Sequence, residues 1–316
     1  MKKHNRKQKS TFLVIAFSFL FMSCTGGTEI IDYEGKSLYD VRQDFNTNIV
    51  NIQQNKSPLS IPQDSNFVIV DYPSSVGELS AYISKDPGDG SKYPAIIWVQ
   101  GGYDNTISVN MLSNETMKEY GGANIIVMFP GLRGGNQNPG NYESLYGEVD
   151  DIISAVEYLS NLDYVDSHKI YLGGHSTGGT LTLLVTEMTD IFRASFSIAP
   201  MDKFQNYDHV PKPIAFDTTN QKEYDLRSPI LWLDDIRTPT FVFTGTKDGN
   251  YKNFKSLKST SDNSYISFLA IKNGNHNNVL NSVAKLIAQK IAADDEATAN
   301  ITFYEHQINS NLHDSK

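Results

Sequence analysis

Cysteine is almost absent from this chain: there is one among 316 residues, at position 24. A single thiol excludes an intramolecular disulfide and any zinc site built from several cysteines. Basic charge is also short. The 27 Lys and Arg are outnumbered by 36 Asp and Glu, a formal net charge of −9 that argues against a general nucleic-acid binder. The apolar run near the start, Thr11 to Met22, holds 12 residues. That falls short of the about 20 that a membrane-spanning helix needs. Internal repeats and low-complexity blocks are lacking too. What remains is 39% hydrophobic and 20% charged, enough apolar material for a core and too little charge for a disordered chain. The length allows one large α/β domain or two modest ones.

The first residues have a build of their own. A basic head (Lys2, Lys3, Arg6, Lys7, Lys9) precedes the apolar run, and the run ends Phe21-Met22-Ser23-Cys24. This is the layout of a secretory signal, with the only cysteine where the cut would fall. It resembles a bacterial lipoprotein signal, although Phe21 stands where that class prefers Leu. The resemblance implies a signal over 1–23, a lipid on Cys24 as first mature residue, and a place in the cell envelope, periplasmic or surface-exposed. The lipid bilayer is then a partner through Cys24. Loss of the five basic residues moves the net charge from −9 to −14, so the body should not hug anionic lipid. Residues 24–36 read as a flexible tether.

Residues 37–66 read as an N-terminal helix, with Leu38, Val41 and Phe45 at helical spacing, followed by an extended linker around Pro58 and Pro62. FVIVDY (67–72) and LSAYIS (79–84) alternate like two strands joined by a turn. From Ala95 the pattern changes. AIIWV (95–99) and NIIVMF (124–129) are continuous apolar runs, as in parallel strands buried on both faces. KIYLGG (169–174), ASFSIA (194–199), TFVFTG (240–245) and YISFLAI (265–271) read as further strands. Helical spacing marks 108–120, 147–160, 178–189 and 278–292. Strand and helix alternate, which predicts a doubly wound, mostly parallel sheet with helices on both faces over residues 67–293. Residues 202–227 break the rhythm with prolines, aromatics and polar residues, and read as a small lid insertion. The polar tail, 294–316, receives no assignment.

Residues 174–178 are Gly174-His175-Ser176-Thr177-Gly178, between a strand and an apolar helix. G-x-S-x-G in that setting is a nucleophile elbow: a sharp turn lifts the serine oxygen clear of the sheet, and small neighbours let strand and helix pass close. A serine hydroxyl needs a histidine to take its proton and a carboxylate to orient that histidine. With this elbow the chain order is Ser, Asp or Glu, then His. Of seven histidines only His209, His276, His306 and His313 follow Ser176. His209 lies in the lid, and His306 and His313 in the tail. His276 lies in the polar loop KNGNHNN between a late strand and the last helix. Asp248 lies just past the strand 240–245, whereas Asp234 and Asp235 precede it. The triad is therefore read as Ser176, Asp248 and His276. His175 is read as structural, since its side chain should point away from the nucleophile. The oxyanion donors are the N–H of Thr177 and one from Gly102 or Tyr103, in the loop Gln100-Gly101-Gly102-Tyr103 after the strand AIIWV. Arg133, in FPGLRGGNQNPG, is expected to pair with Glu148 or Asp150 and hold its loop.

Taken together, the QGG loop, the RGG loop, the stretch GEVDDIISAVEYLSNLDYVDSHKIYLGGHSTGG, the Asp of TGTKD and the His of GNH resemble an α/β-hydrolase of the prolyl-oligopeptidase type. The match covers about residues 66–292. Two departures stand out: Thr177 where the peptidases carry Tyr, and Gln100 where HGG-type loops carry His. Many family peptidases also carry an N-terminal propeller; about 40 residues separate Cys24 from the first strand, so none is expected here. The resemblance implies a serine hydrolase with no metal and no cofactor, cleaving peptide or amide bonds of small peptides. A carboxylesterase acting on sugar or other small esters is the alternative, and a catalytically inactive surface-binding lipoprotein the third reading. The substrate partner is thus a small peptide or ester; no nucleic acid is expected.

Overall fold

The computed structural model describes residues 33–63, 66–112, 114–207 and 213–311. By contacts the chain divides after Ile31, and the described residues all belong to the second unit, Asp32–Lys316. The expected signal, Cys24 and the first part of the tether lie outside the described residues, as do His209 and His313. Among the described residues no helix is long and apolar enough to cross a membrane.

The second unit is built on one sheet of eight strands. They are β1 (Phe67–Ser74), β2 (Gly77–Ser84), β3 (Tyr93–Val99), β4 (Ile126–Pro130), β5 (Val165–His175), β6 (Ser195–Ile198), β7 (Thr240–Gly245) and β8 (Ile266–Ile271). The spatial order is β1-β2-β4-β3-β5-β6-β7-β8. β1 and β2 form an antiparallel hairpin, β2 joins β4 antiparallel, and β4 through β8 are parallel neighbours. The helices are α1 (Leu38–Gln43), α2 (Glu115–Gly122), α3 (Gly147–Ser160), α4 (Thr177–Met188), α5 (Gln221–Asp225), α6 (Tyr251–Thr260), α7 (Asn278–Ala292) and α8 (Glu305–Asn311).

The continuous apolar strands are continuous because both faces are covered. Along β3, Ile97 and Val99 join a core with Val149 and Ile152 of α3 and Leu184 of α4. Ile96 and Trp98, one residue out of phase, join a second core with Met117 of α2 and Val283 and Ile287 of α7. A third cluster packs Phe254 and Leu257 of α6 on Val242 of β7 and Leu183 of α4. This is the α/β-hydrolase architecture expected from the alternation of elements.

Several expectations shift in detail. The N-terminal helix stops at Gln43, because Glu223 draws the next residues away: its carboxylate accepts from the Thr47 hydroxyl at 2.8 Å and from Asn48 N–H at 2.6 Å. Strand β5 begins earlier than expected, since Val165 pairs with Tyr93 across an irregular register. Helices α6 and α8 were not foreseen. Tyr251, Phe254 and Leu257 give α6 only a narrow apolar stripe in a polar segment. The segment after α1 is a strap rather than a free linker. Val50 and Asn51 N–H donate to Ala215 O, and Asn55 N–H donates to Gly134 O. The strap therefore ties the insertion to the loop that carries Arg133. Within the tether, the Tyr33 hydroxyl donates to Asp225 at 2.9 Å and its ring packs on Trp232.

Candidate active site

Ser176 sits between the last residue of β5 and the first of α4, with φ 58° and ψ −119°. A serine held there stores of the order of 1–3 kcal/mol of backbone strain. The surroundings over-determine it: Ser176 N–H donates to Ile198 O at 2.8 Å, and Ser176 O accepts from Thr180 N–H at 3.0 Å. The flanking glycines are a matter of space. A Cβ on Gly174 would collide with the carbonyl of Gly178, and one on Gly178 with the carbonyl of Val99.

Asp248 and His276, expected as acid and base, come from adjacent loops. Asp248 follows β7, and His276 lies between β8 and α7. Lys247 N–H donates to Gly274 O at 2.8 Å, and Thr246 N–H to Ile271 O at 2.9 Å. The two loops are thus laced backbone to backbone. Across the seam, His276 Nδ1 lies 3.0 Å from Asp248 Oδ2 and 3.2 Å from Oδ1. The Asp248 side chain is buried, at 1% exposure, while the His276 ring is 38% exposed. Asp248 Oδ1 also accepts from Asn250 N–H at 2.8 Å. A carboxylate accepting at Nδ1 fixes the proton there and leaves Nε2 as the ring's acceptor.

Ser176, Asp248 and His276 line one cleft of about 380 Å³ at the carboxyl ends of the parallel strands. That is where open α/β sheets place ligands. Tyr103, Met201 and Tyr207 supply its apolar wall, and Asn206 and Asn250 its polar one. Tyr103 and Tyr207 meet edge to face, 6.1 Å between centroids. The Tyr207 hydroxyl and Thr180 Oγ1 are hydrogen-bonded at 2.8 Å, which fastens the insertion to the first turn of α4. Met201, Asn206 and Tyr207 were missed from sequence. Met201 lies in irregular chain after β6 and the other two in the single 3-10 turn Phe204–Tyr207, and aromatics there carried no signal beyond the break in rhythm.

The expected oxyanion residues also converge. Thr177 opens α4, so its N–H has no partner within the helix. Gly101 lies so close to the elbow that a Cβ would stand 2.6 Å from His175 O. Gly102 and Thr177 border a cavity of about 20 Å³ beneath the loop, room for about one water-sized group. Tyr103 faces the larger cleft instead.

Arg133 departs from expectation. Its side chain binds Asp151 through two hydrogen bonds, Nε to Oδ2 at 2.9 Å and Nη2 to Oδ1 at 2.8 Å, and Glu143 at 2.7 Å, and its main-chain N–H donates to Asp151 Oδ2 as well. Its guanidinium crosses α3 over Gly147, whose Cβ would collide with it. Asp151, one turn on, shares that face; Asp150 is turned about 100° away and pairs with Arg42 of α1 at 2.8 Å. Glu148 is buried and accepts from Asn105 Nδ2 at 2.9 Å and from Glu143 N–H at 2.7 Å. Burial, then the nearby Glu143, pushes its carboxyl up to about 7. Arg133 does hold its loop, but by other partners. His175 does not border the cleft; its Nε2 lies 2.7 Å from the carbonyl oxygen of His276. Among the described residues no group of three or more His, Cys, Asp or Glu is placed to hold a metal.

Comparison with known proteins gives this geometry a family. The model of the prolyl oligopeptidase family matches residues 114–299, more than half of the chain. The chain belongs to the prolyl oligopeptidase family. That family match covers the elbow and the Asp248 and His276 loops; the QGG loop lies before it. Among its relatives is the uncharacterized peptidase YtmA of Bacillus subtilis, 23% identical over 175 residues, covering 52% of this chain and 67% of YtmA. The dipeptidyl peptidase 4 structure from Porphyromonas gingivalis superposes with TM-score 0.57 at 20% identity, over 71% of this chain and 35% of the other. The chain thus spans about a third of that enzyme's length. An esterase from Pyrobaculum calidifontis superposes with TM-score 0.55 at 16% identity, over 75% of this chain and 87% of the esterase. At these identities the two structures speak for the fold alone. They show the same α/β-hydrolase sheet serving both peptidases and an esterase.

Proposed function

We propose that this member of the prolyl oligopeptidase family is a serine hydrolase that cleaves peptide or amide bonds of small peptides. The reading is carried by one observation: His276 Nδ1 lies 3.0 Å from a buried Asp248 carboxylate in the cleft that Ser176 enters from a strained elbow. In the first half-reaction Ser176 Oγ bonds to the acyl carbon while His276 Nε2 takes its proton. The carbonyl π pair moves onto oxygen, and the N–H groups of Thr177 and of Gly102 or Tyr103 receive the oxyanion, each worth about 3 kcal/mol. Collapse breaks the C–N bond, and His276 returns the proton to the leaving amine. Water then repeats the sequence on the acyl-serine and regenerates the enzyme. Tyr103, Met201 and Tyr207 favour a neutral, apolar acyl group.

The second reading is a carboxylesterase acting on small esters. It is favoured by Thr177, which stands where the family's peptidases carry Tyr. Turnover of aminoacyl-p-nitroanilides against p-nitrophenyl esters separates the two. We expect anilide hydrolysis that is lost in Ser176→Ala. Ester turnover alone, with anilides untouched, overturns the peptidase reading.

The same proposal places the enzyme in the cell envelope, anchored by a lipid on Cys24. Its support is the position of the chain's one cysteine at the end of a basic and apolar leader.

A further inference from the structure

The elbow carries a second histidine that the mechanism above does not use. His175 is the last residue of β5 and precedes Ser176. The turn at Ser176 sends the two side chains apart: Ser176 borders the cleft, and His175 crosses beneath the loop between β8 and α7. There its ring tilts against that of His276, with centroids 4.6 Å apart. Its Nε2 lies 2.7 Å from the main-chain carbonyl oxygen of His276. A carbonyl only accepts, so Nε2 carries the hydrogen and donates it. His276 stands before Asn277, the N-cap of α7, and there it is Asn275 O, not His276 O, that accepts from Val279 N–H of the helix, at 3.2 Å. His175 supplies the partner that the helix does not.

We propose that His175 is a positioning residue for the general base: as a neutral imidazole it donates Nε2–H to the His276 carbonyl and pins the base's loop to the nucleophile's strand. The proposal rests on the triad reading above. Asp248 sets how the His276 ring is turned, and the laced loops set its distance from Asp248. Neither ties the base to Ser176. The His175 hydrogen bond does, because His175 and Ser176 are consecutive. One strand end then fixes both reacting groups, and a displacement of about 1 Å between such groups is enough to lower turnover about a hundredfold. The groups that bear on His175 electrostatically are His276 and Asp248. Burial first, and then the neighbouring His276, hold its pKa below the ordinary histidine value, so the ring stays neutral while His276 cycles through its charged form.

The test compares His175→Gln with His175→Met. The two side chains have the same length, and only Gln keeps an N–H to give. Turnover of a p-nitrophenyl ester is followed, with the melting temperature of each variant, and His175→Ala serves as a second replacement without a donor. We expect His175→Met and His175→Ala to lose about tenfold to a hundredfold in kcat with KM little changed, and His175→Gln to recover most of it. Equal kcat in Gln and Met variants that both melt like the wild type overturns the proposal. So does a wild-type kcat in His175→Ala. Labelling by a fluorophosphonate keeps the two readings apart. Labelling that survives Ser176→Ala sinks the triad and this proposal with it. Labelling lost in Ser176→Ala, beside unimpaired His175 variants, sinks this proposal alone.

Discussion

Asp248 and Glu148 are both buried carboxyls close to the site, and their surroundings set them to opposite tasks. Asp248 accepts from His276 and from Asn250 N–H, so its charge is met on both oxygens. Replacing it by Asn puts a donor opposite Nδ1 and traps the wrong tautomer, which costs about 10⁴ in kcat without disturbing the fold. We expect that loss for Asp248→Asn at near-normal thermal stability. Asp234 and Asp235 sit in a turn before β7, where Asp235 Oδ2 accepts from Leu38 N–H. Steady-state kinetics of their Asn variants should stay close to wild type; a large loss there would move the orienting role. Glu148 is different, because burial raises its carboxyl from the ordinary 4.5 to about 7. A raised carboxyl favours the folded state as the neutral acid. That stability is complete below pH 4.5 and is lost as pH rises through 7, by about 3 kcal/mol in all. Denaturant unfolding of the wild type should therefore weaken from pH 5 to pH 8 more than that of Glu148→Gln. Equal slopes would contradict it. The members of the proposed triad could be picked out in the sequence because a motif and strand order point at them. The state of Glu148 was not legible, since it depends on what the fold packs around it. The partner of Arg133 was missed by a single residue, which on a helix is a turn of about 100°.

At the scale of elements, the site depends on close passages between strand ends and loops. Gly178, the second residue of α4, lies directly against Val99 O, with no space for a Cβ. Gly178→Ala must push α4 off β3 and the QGG loop with it. We expect a marked fall in melting temperature together with lost fluorophosphonate labelling; a variant that folds and labels normally would show the passage to be looser. The insertion and the strap form a second such unit. Arg227, fully buried, binds Glu223 at 2.6 Å, Thr47 Oγ1 at 2.7 Å and Glu143 O at 3.0 Å. It also lies against the rings of Phe216 and Tyr146. Removing one partner of a buried ion pair typically costs 3–5 kcal/mol, because the other charge is stranded. Arg227→Met should lose about that much in denaturant unfolding, and an unchanged midpoint would contradict the coupling. Strands and long amphipathic helices were legible as period and run length. The strap was not. Its order comes from single hydrogen bonds to residues about 80 to 165 positions away, and no local pattern records those.

For the whole molecule, the distribution of charge bears on how it meets a membrane. Its sheet was foreseeable, because residues one apart along β3 feed two different cores and leave no polar position between them. The proposed anchor draws on a different part of the chain and is argued from sequence. All five basic residues of the leader lie before Cys24, and the remainder carries a net charge of −14. An acidic body is repelled by anionic headgroups, and that repulsion is strongest at low salt, where screening is weakest. Adhesion of the body to the bilayer therefore has no electrostatic source, and a lipid on Cys24 would have to supply the whole of the membrane binding. Cys24→Ser removes that lipid. Fractionation of cells producing this variant should find it either unprocessed, with its leader still attached, or wholly in the soluble fraction at low and at high salt alike. Membrane association at wild-type level, with wild-type electrophoretic mobility, would mean that Cys24 carries no lipid and that something other than this residue holds the enzyme to the envelope.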